Sequence, residues 1–300
     1  MTTTQYYQWR GYRCAYEKRI APSSSLGTEH PPLVLIHPVG VGLYRQFWHR
    51  FCQAWQQQEW PNPMYLPDLL GCGDSDMPAV AYRTEDWAAQ LCAFLKEVVQ
   101  QPAILVVQGA LFPVAIALAQ IPEALPLLKG LVLSGPPAWA VMTTASPDWQ
   151  RRLLWNGLFE PPVGPLFYRY ARRRQFLYSF SVKQLFAEAK DVDANWLDML
   201  ETEAAKVASR YAVFSFLAGY WRQDHTERLM NLQVPTLVVV GDRASSISRS
   251  GKTETPVDRV NAYLKHLPQA EAQILTGRNV LPYESTSEFV KAIAPFVLID

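Results

Sequence analysis

Excess charge of one sign, paired cysteines and long apolar runs are all missing from this sequence. Its 28 Lys and Arg against 27 Asp and Glu leave a net charge of +1, so no global field draws it to nucleic acid. The four cysteines, Cys14, Cys52, Cys72 and Cys92, have neither metal-ligand nor redox spacing. They argue against a metal centre or disulfide framework and fit a reducing compartment, here the cytoplasm. No apolar run reaches the length that spans a bilayer. The N-terminal stretch MTTTQYYQWRGYRCAYEKR reads as neither signal nor transit peptide. No internal repeat is visible, and no cofactor is expected. What the chain does have is apolar bulk: 49% hydrophobic and 12% aromatic over 300 residues, ample for a large core with one insertion.

Short Val/Leu/Ile runs bounded by Gly or Pro recur along the chain, as buried parallel strands require. They lie in LVLIHPVG from residue 33, MYLPD from 64, ILVVQG from 104, GLVLSGPP from 130 and VPTLVVVGD from 234. The fold class is therefore α/β. The N-terminal segment alternates around Arg10-Gly11 like a hairpin. Residues 1–137 and 231–300 are expected to form the α/β core, and 138–230 an inserted, mainly helical cap. The clearest cap helix is expected from about Asp193 to Tyr220, with Trp196, Leu200, Ala204, Val207, Tyr211 and Phe214 at three- and four-residue spacing. Residues 243–256 read as a polar loop.

At residues 104–119, ILVVQGALFPVAIALA, a strand runs through a tight turn into a helix. With MYLPDLLGCGDSD at 64–76, which carries Asp68, Gly71, Gly73 and Ser75, this resembles the α/β-hydrolase superfamily. The resemblance implies an α/β-hydrolase fold, a mostly parallel central sheet with helices on both faces and an inserted helical cap. It also implies a nucleophile elbow, Gly-x-Ser-x-Gly, at the strand-to-helix turn. Here Gly109 stands where the Ser belongs, and Val107 and Leu111 replace the flanking glycines. After the strand ending at Val240, the family's acid position falls on Ala244. Near the C-terminus, TGRNVLPYESTSEFVKAIAPF, aligned on Glu284 and Phe289, puts Asn279 at the family's His position. The oxyanion loop corresponds to His37, Pro38 and Val39, with Ala110 after the elbow.

Those residue types matter because a serine hydroxyl needs an adjacent base, and the base needs a third group to orient it. Losing one member leaves roughly 10³–10⁴ of acceleration over water, whereas losing all three removes the proton-transfer machinery. The expectation is a protein with no catalytic residues and no metal. Substitutes for the lost base or nucleophile are few. His37 lies near the elbow, although the resemblance makes it structural. Cys72 sits in a loop beside the site without a neighbouring Lys or His in sequence. Asp242 reads as structural, Ser134 as a turn residue, and His225 and His266 as surface residues near segment ends.

Between Trp149 and Lys183 the cap holds Arg151, Arg152, Arg169, Arg172, Arg173, Arg174 and Lys183 against one acid, Glu160, interleaved with aromatics including Trp155. Such a stretch suits an apolar or amphiphilic small molecule, a protein partner or an anionic membrane surface. The competing reading is a solvated charge run on helices whose aromatics pack inward. Cap aromatics above the elbow are expected to leave a partly apolar pocket. The loss of reacting residues resembles superfamily members that keep the fold for recognition, such as neuroligins, the N-myc downstream-regulated proteins and the gibberellin receptor. HPVGVGLYRQFWHRF and NVLPYES are most similar to cyanobacterial and plastid α/β-hydrolase-like proteins. That likeness implies a binding or assembly role, cytoplasmic or peripheral on the thylakoid or cytoplasmic membrane face. The alternative is a hydrolase or lyase working through His37 or Cys72.

Overall fold

The computed structural model describes residues 3–20, 30–159 and 163–298. Glu160, the single acid of the basic stretch, lies outside them. Among the described residues, eight strands form one sheet in the order β1-β2-β4-β3-β5-β6-β7-β8. They are β1 (Gln5–Trp9), β2 (Tyr12–Arg19), β3 (Leu33–Ile36), β4 (Met64–Pro67), β5 (Ala103–Gln108), β6 (Leu128–Ser134), β7 (Thr236–Gly241) and β8 (Ala270–Leu275). β1 and β2 pair antiparallel, as do β2 and β4, and every other pairing is parallel. The β1–β2 turn has positive φ at both Arg10 (49°) and Gly11 (79°), the twist that joins a tight hairpin.

β3, β5 and β7 are buried along their whole length, which explains their unbroken apolar sequences. Successive side chains go to opposite faces. Val34, Ile36, Leu105, Val107, Val238 and Val240 enter one core layer. Leu33, Leu35, Ile104, Val106, Leu237 and Val239 enter the other. Helices α1 (His49–Gln57), α2 (Thr84–Phe94) and α3 (Phe112–Ala119) connect the first strands. After the insert come α11 (Pro256–His266), α12 (Leu281–Glu284) and α13 (Thr286–Val297). Strand order reverses at β3, whose neighbours are β4 and β5, so the carboxyl ends of β3 and β5 flank the crevice where open parallel sheets place their sites.

Between β6 and β7 run α4 (Trp139–Met142), α5 (Asp148–Leu153), α6 (Val163–Ala171), α7 (Arg174–Phe180), α8 (Ala194–Ala204), α9 (Arg210–Ala218) and α10 (Thr226–Met230). The single helix expected over 193–220 is instead two. Asp193 caps α8 by accepting from the Trp196 amide at 2.8 Å. Lys206 then leaves helical geometry (ψ 88°), a 3-10 turn covers Val207–Ser209, and α9 ends at Gly219 with φ 84°. The break has a tertiary cause. Lys206 Nζ reaches the Gly73 carbonyl and Asp74 carboxylate of the core, each at 2.8 Å, while Ser209 Oγ donates to the Lys206 carbonyl at 2.8 Å and meets Tyr168 Oη at 2.7 Å. Ser134, read as a turn residue, is the buried last residue of β6.

Candidate functional site

The loops leaving β3, β5 and β7, with the turn after β8, converge at one edge of the sheet. β5 ends in a 3-10 turn, Gly109–Leu111, that leads directly into α3. Gly109 has φ 62°, a left-handed conformation that costs an ordinary residue roughly 1–2 kcal/mol and glycine almost nothing. Space is not the constraint there. A Cβ added at Gly109 would meet only the Gly135 carbonyl, at 3.9 Å. Gly135 is itself at φ 55°, and a Cβ on it would stand 2.8 Å from the Asn279 carbonyl. That carbonyl also accepts from Gln108 Nε2 at 2.7 Å, so the turn holding Asn279 is bound to the end of β5.

The Asn279 side chain is fully engaged. Its Nδ2 donates to the Gln184 carbonyl at 2.7 Å and the Ser245 carbonyl at 3.0 Å, and its Oδ1 accepts from the Ser245 amide at 3.4 Å. Its backbone N–H donates to Leu185 O at 3.0 Å. The neighbouring Arg278 guanidinium donates to Ser245 Oγ and to the Val182 and Phe186 carbonyls. Residues 182–187 of the insert are thus stitched over this edge. Ala244 is buried in the turn after β7, its amide bonded to Gly241 O at 2.9 Å. Asp242 accepts from the Gly277 amide at 3.0 Å, which joins the β7 and β8 turns. Gly109, Ala244 and Asn279 therefore meet at the carboxyl edge.

His37 follows β3 and is fully buried. Its Nε2 accepts from the Leu69 amide at 3.1 Å, which leaves the proton on Nδ1 to donate to the Pro38 carbonyl at 2.9 Å. Burial pulls the imidazole down to about 4, so it is neutral near pH 7 with both nitrogens occupied. Pro38 and Val39 continue the loop, half-buried with Ala110. Cys72 is buried, and burial pushes its thiol well above the usual range. His225 is also buried, contrary to the surface position expected: it directly precedes α10, with Nε2 3.3 Å from the Trp221 carbonyl. His266 is half-buried and stacks on Trp139 at 4.3 Å between ring centroids.

Beside the loop that follows β3 lies an ion network that no local pattern announces. Arg45 donates to Glu17 at 2.9 Å and to Asp74 at 2.7 Å, and it pairs with Asp68. Lys206 bridges Asp74 and the buried Glu203, both at 2.8 Å. Burial pushes Asp68 up to about 6 against the pull of Arg45, and Glu203 up to about 7 against the pull of Lys206. Burial also raises Glu17, but His49 and Arg45 outweigh it and hold that carboxyl at about 2. Gly73 is required here, because a Cβ would lie 2.0 Å from the Asp68 carboxylate.

The insert packs down onto this edge through Tyr168, Val213 and Phe214, with Trp155, Phe159 and Val41 against them. Part of the space expected to be a pocket is therefore filled by aromatic rings. Hollows of about 400 and 490 Å³ lie elsewhere, the first between α6 and α7 and the second beside α10. The basic stretch is divided. Arg152, Arg169 and Arg173 are exposed and Arg172 is half-buried. Arg151 pairs with Asp148, and Arg174 pairs with Asp198 at 2.7 Å and with Glu201. Trp149 is exposed, whereas Trp155 packs edge-on to Tyr220.

A family model described as "Alpha/beta hydrolase family" matches residues 33–292. No curated protein matches the chain. Among solved structures, a serine hydrolase involved in carbazole degradation is 17% identical, with both chains covered in full and a TM-score of 0.75. A thermophilic esterase from Thermogutta terrifontis is 17% identical over 99% of this chain and 98% of its own, with a TM-score of 0.70. An esterase from Exiguobacterium antarcticum is 14% identical, with full coverage of both chains and a TM-score of 0.73. At these identities the likeness is one of fold. Among the described residues, no helix is long and apolar enough to cross a membrane.

Proposed function

The chain belongs to the alpha/beta hydrolase family, and we propose that within it this protein binds or assembles rather than hydrolyses. The observation that carries this reading is the set of residues at the carboxyl edge. Gly109, Ala244 and Asn279 occupy the nucleophile, acid and base positions of the family pattern, and none of them attacks, orients or shuttles a proton. Asn279 is committed to the insert through Gln184, and His37 is neutral with both ring nitrogens engaged. Cys72 is a buried thiol with its pKa raised, so it does not supply a thiolate.

In this reading residues 138–230 are one cap, closed on the core by Asn279, Arg278 and Lys206. The occupant is an apolar or amphiphilic molecule or a protein partner. The resemblance of HPVGVGLYRQFWHRF and NVLPYES to cyanobacterial and plastid proteins supports a role at a photosynthetic membrane. Purified protein is expected to hydrolyse p-nitrophenyl acetate and butyrate no faster than a heat-denatured control, and to resist labelling by a fluorophosphonate probe. Stoichiometric labelling, or turnover abolished by a single substitution at His37 or Cys72, would show that the site is catalytic after all.

A further inference from the structure

Helix α6 is apolar on two sides. Gly164, Tyr168 and Ala171 are buried against the protein, at the spacing of one helix face. On the rest of its surface Leu166 and Tyr170 stand 65% and 53% exposed, four residues apart and beside the exposed Arg169. Helix α7 then brings Phe176 within 5.2 Å of Tyr170 and Phe180 within 6.3 Å of Phe176, between ring centroids. The Arg173 guanidinium lies 5.6 Å over the Tyr170 ring. These three rings, Arg173 and Lys183 line an open hollow of about 400 Å³, whose described lining carries two cations and no carboxylate. Helix α5 also exposes Trp149 and Leu153 beside Arg152, although it carries the carboxylate of Asp148 as well.

We propose that the α6–α7 face docks on an anionic lipid bilayer. Arg173 and Lys183 take head-group phosphates at the hollow, while Leu166 and Tyr170 enter the boundary between head groups and acyl chains. The inference deepens the binding role proposed above and rests on it. An apolar helix flank bordered by cations is the arrangement that lies in a membrane interface, with anionic lipid supplying the charge complement. Arg174 is not part of the face, because Asp198 and Glu201 already hold it.

The full chain should co-float with vesicles of mixed phosphatidylcholine and phosphatidylglycerol, and not with phosphatidylcholine alone, and high salt should weaken the association. Each cation removed should cost about fivefold in partitioning, so Arg173→Gln with Lys183→Gln should lose more than about tenfold. Leu166→Ser with Tyr170→Ser should lose binding at every salt concentration. Arg174→Gln should float as the wild type does. Matched melting curves show that each variant is folded. Equal flotation on neutral and anionic vesicles would overturn the proposal, as would an unaffected Arg173/Lys183 variant at low salt. No flotation at all, with salt-sensitive binding to an acidic protein instead, would also overturn it. Fluorophosphonate labelling of the same samples keeps the two ideas apart: flotation with labelling refutes only the non-catalytic role, and neither flotation nor labelling refutes only the docking.

Discussion

Asn279 ties the insert, the β7 turn and the end of β5 together. Its amide donates to a carbonyl of the insert and a carbonyl of the β7 turn at once, which a neutral imidazole with one N–H cannot do. Asn279→Ala should therefore lower stability by about 1–3 kcal/mol through the stranded partners. Asn279→His should not restore the loss. Gly109→Ser should cost only the left-handed backbone, about 1–2 kcal/mol, since the surrounding space is open. Urea denaturation checks all three, and a Gly109→Ser/Asn279→His protein that took up fluorophosphonate would show that the edge can still be armed. The strand ends that carry Gly109 and Ala244 were readable from the sequence because Gly, Pro and Val/Leu punctuation marks them. The hydrogen bonds that hold Asn279 were not, because its partners lie 34 and 95 residues away.

Elements follow the sequence where the signal is local and depart from it where a distant contact wins. The all-buried strands and the Arg10-Gly11 hairpin were legible, each being set by residues within a few positions of one another. The split between α8 and α9 was not. The apolar spacing of Trp196, Leu200, Ala204 and Phe214 continues across it, and the contacts that hold the break are distant: Lys206 reaches Asp74, 132 residues earlier, and Ser209 meets Tyr168, 41 residues earlier. His225 was misplaced for the same reason, since nothing in its own segment announces that it is buried. This junction should also report pH. Unfolded, Glu203 ionises near its ordinary value of 4.5; folded, burial holds it protonated up to about 7. The folded chain binds the extra proton between these values, so this group's contribution makes stability fall as pH rises through that window and level off above it. Glu203→Gln should remove that slope: relative to wild type, the variant gains stability from pH 4.5 to 7. A variant tracking the wild type in parallel across that range would mean that Glu203 is ionised throughout.

For the whole molecule, the same contacts decide whether insert and core behave as one body. The insert is tied to the sheet edge at two separated places, through Lys206 to the 68–76 loop and through Asn279 and Arg278 to residues 182–187. Between the two ties, Tyr168, Val213 and Phe214 pack with Val41 of the loop after β3. Aromatic burial of this kind stabilises by roughly 25 cal/mol per Å² of apolar surface removed from water, and that gain is lost if either side opens alone. A hydrolase cap that admits substrate opens more readily than the core unfolds, because ligand-gating elements belong to the low-stability end of a structure. An insert held to the core at both ties should open no more readily than the core. Hydrogen exchange followed by mass spectrometry should therefore find α8 and α9 protected to the same extent as β5 and β6, with one unfolding transition for both. Lys206→Met combined with Asn279→Ala should release α8 and α9 to exchange first while leaving the strands protected. If α8 and α9 already exchange early in the wild type, the insert is a gate rather than a clamp, and the site beneath it is one that admits and releases a molecule.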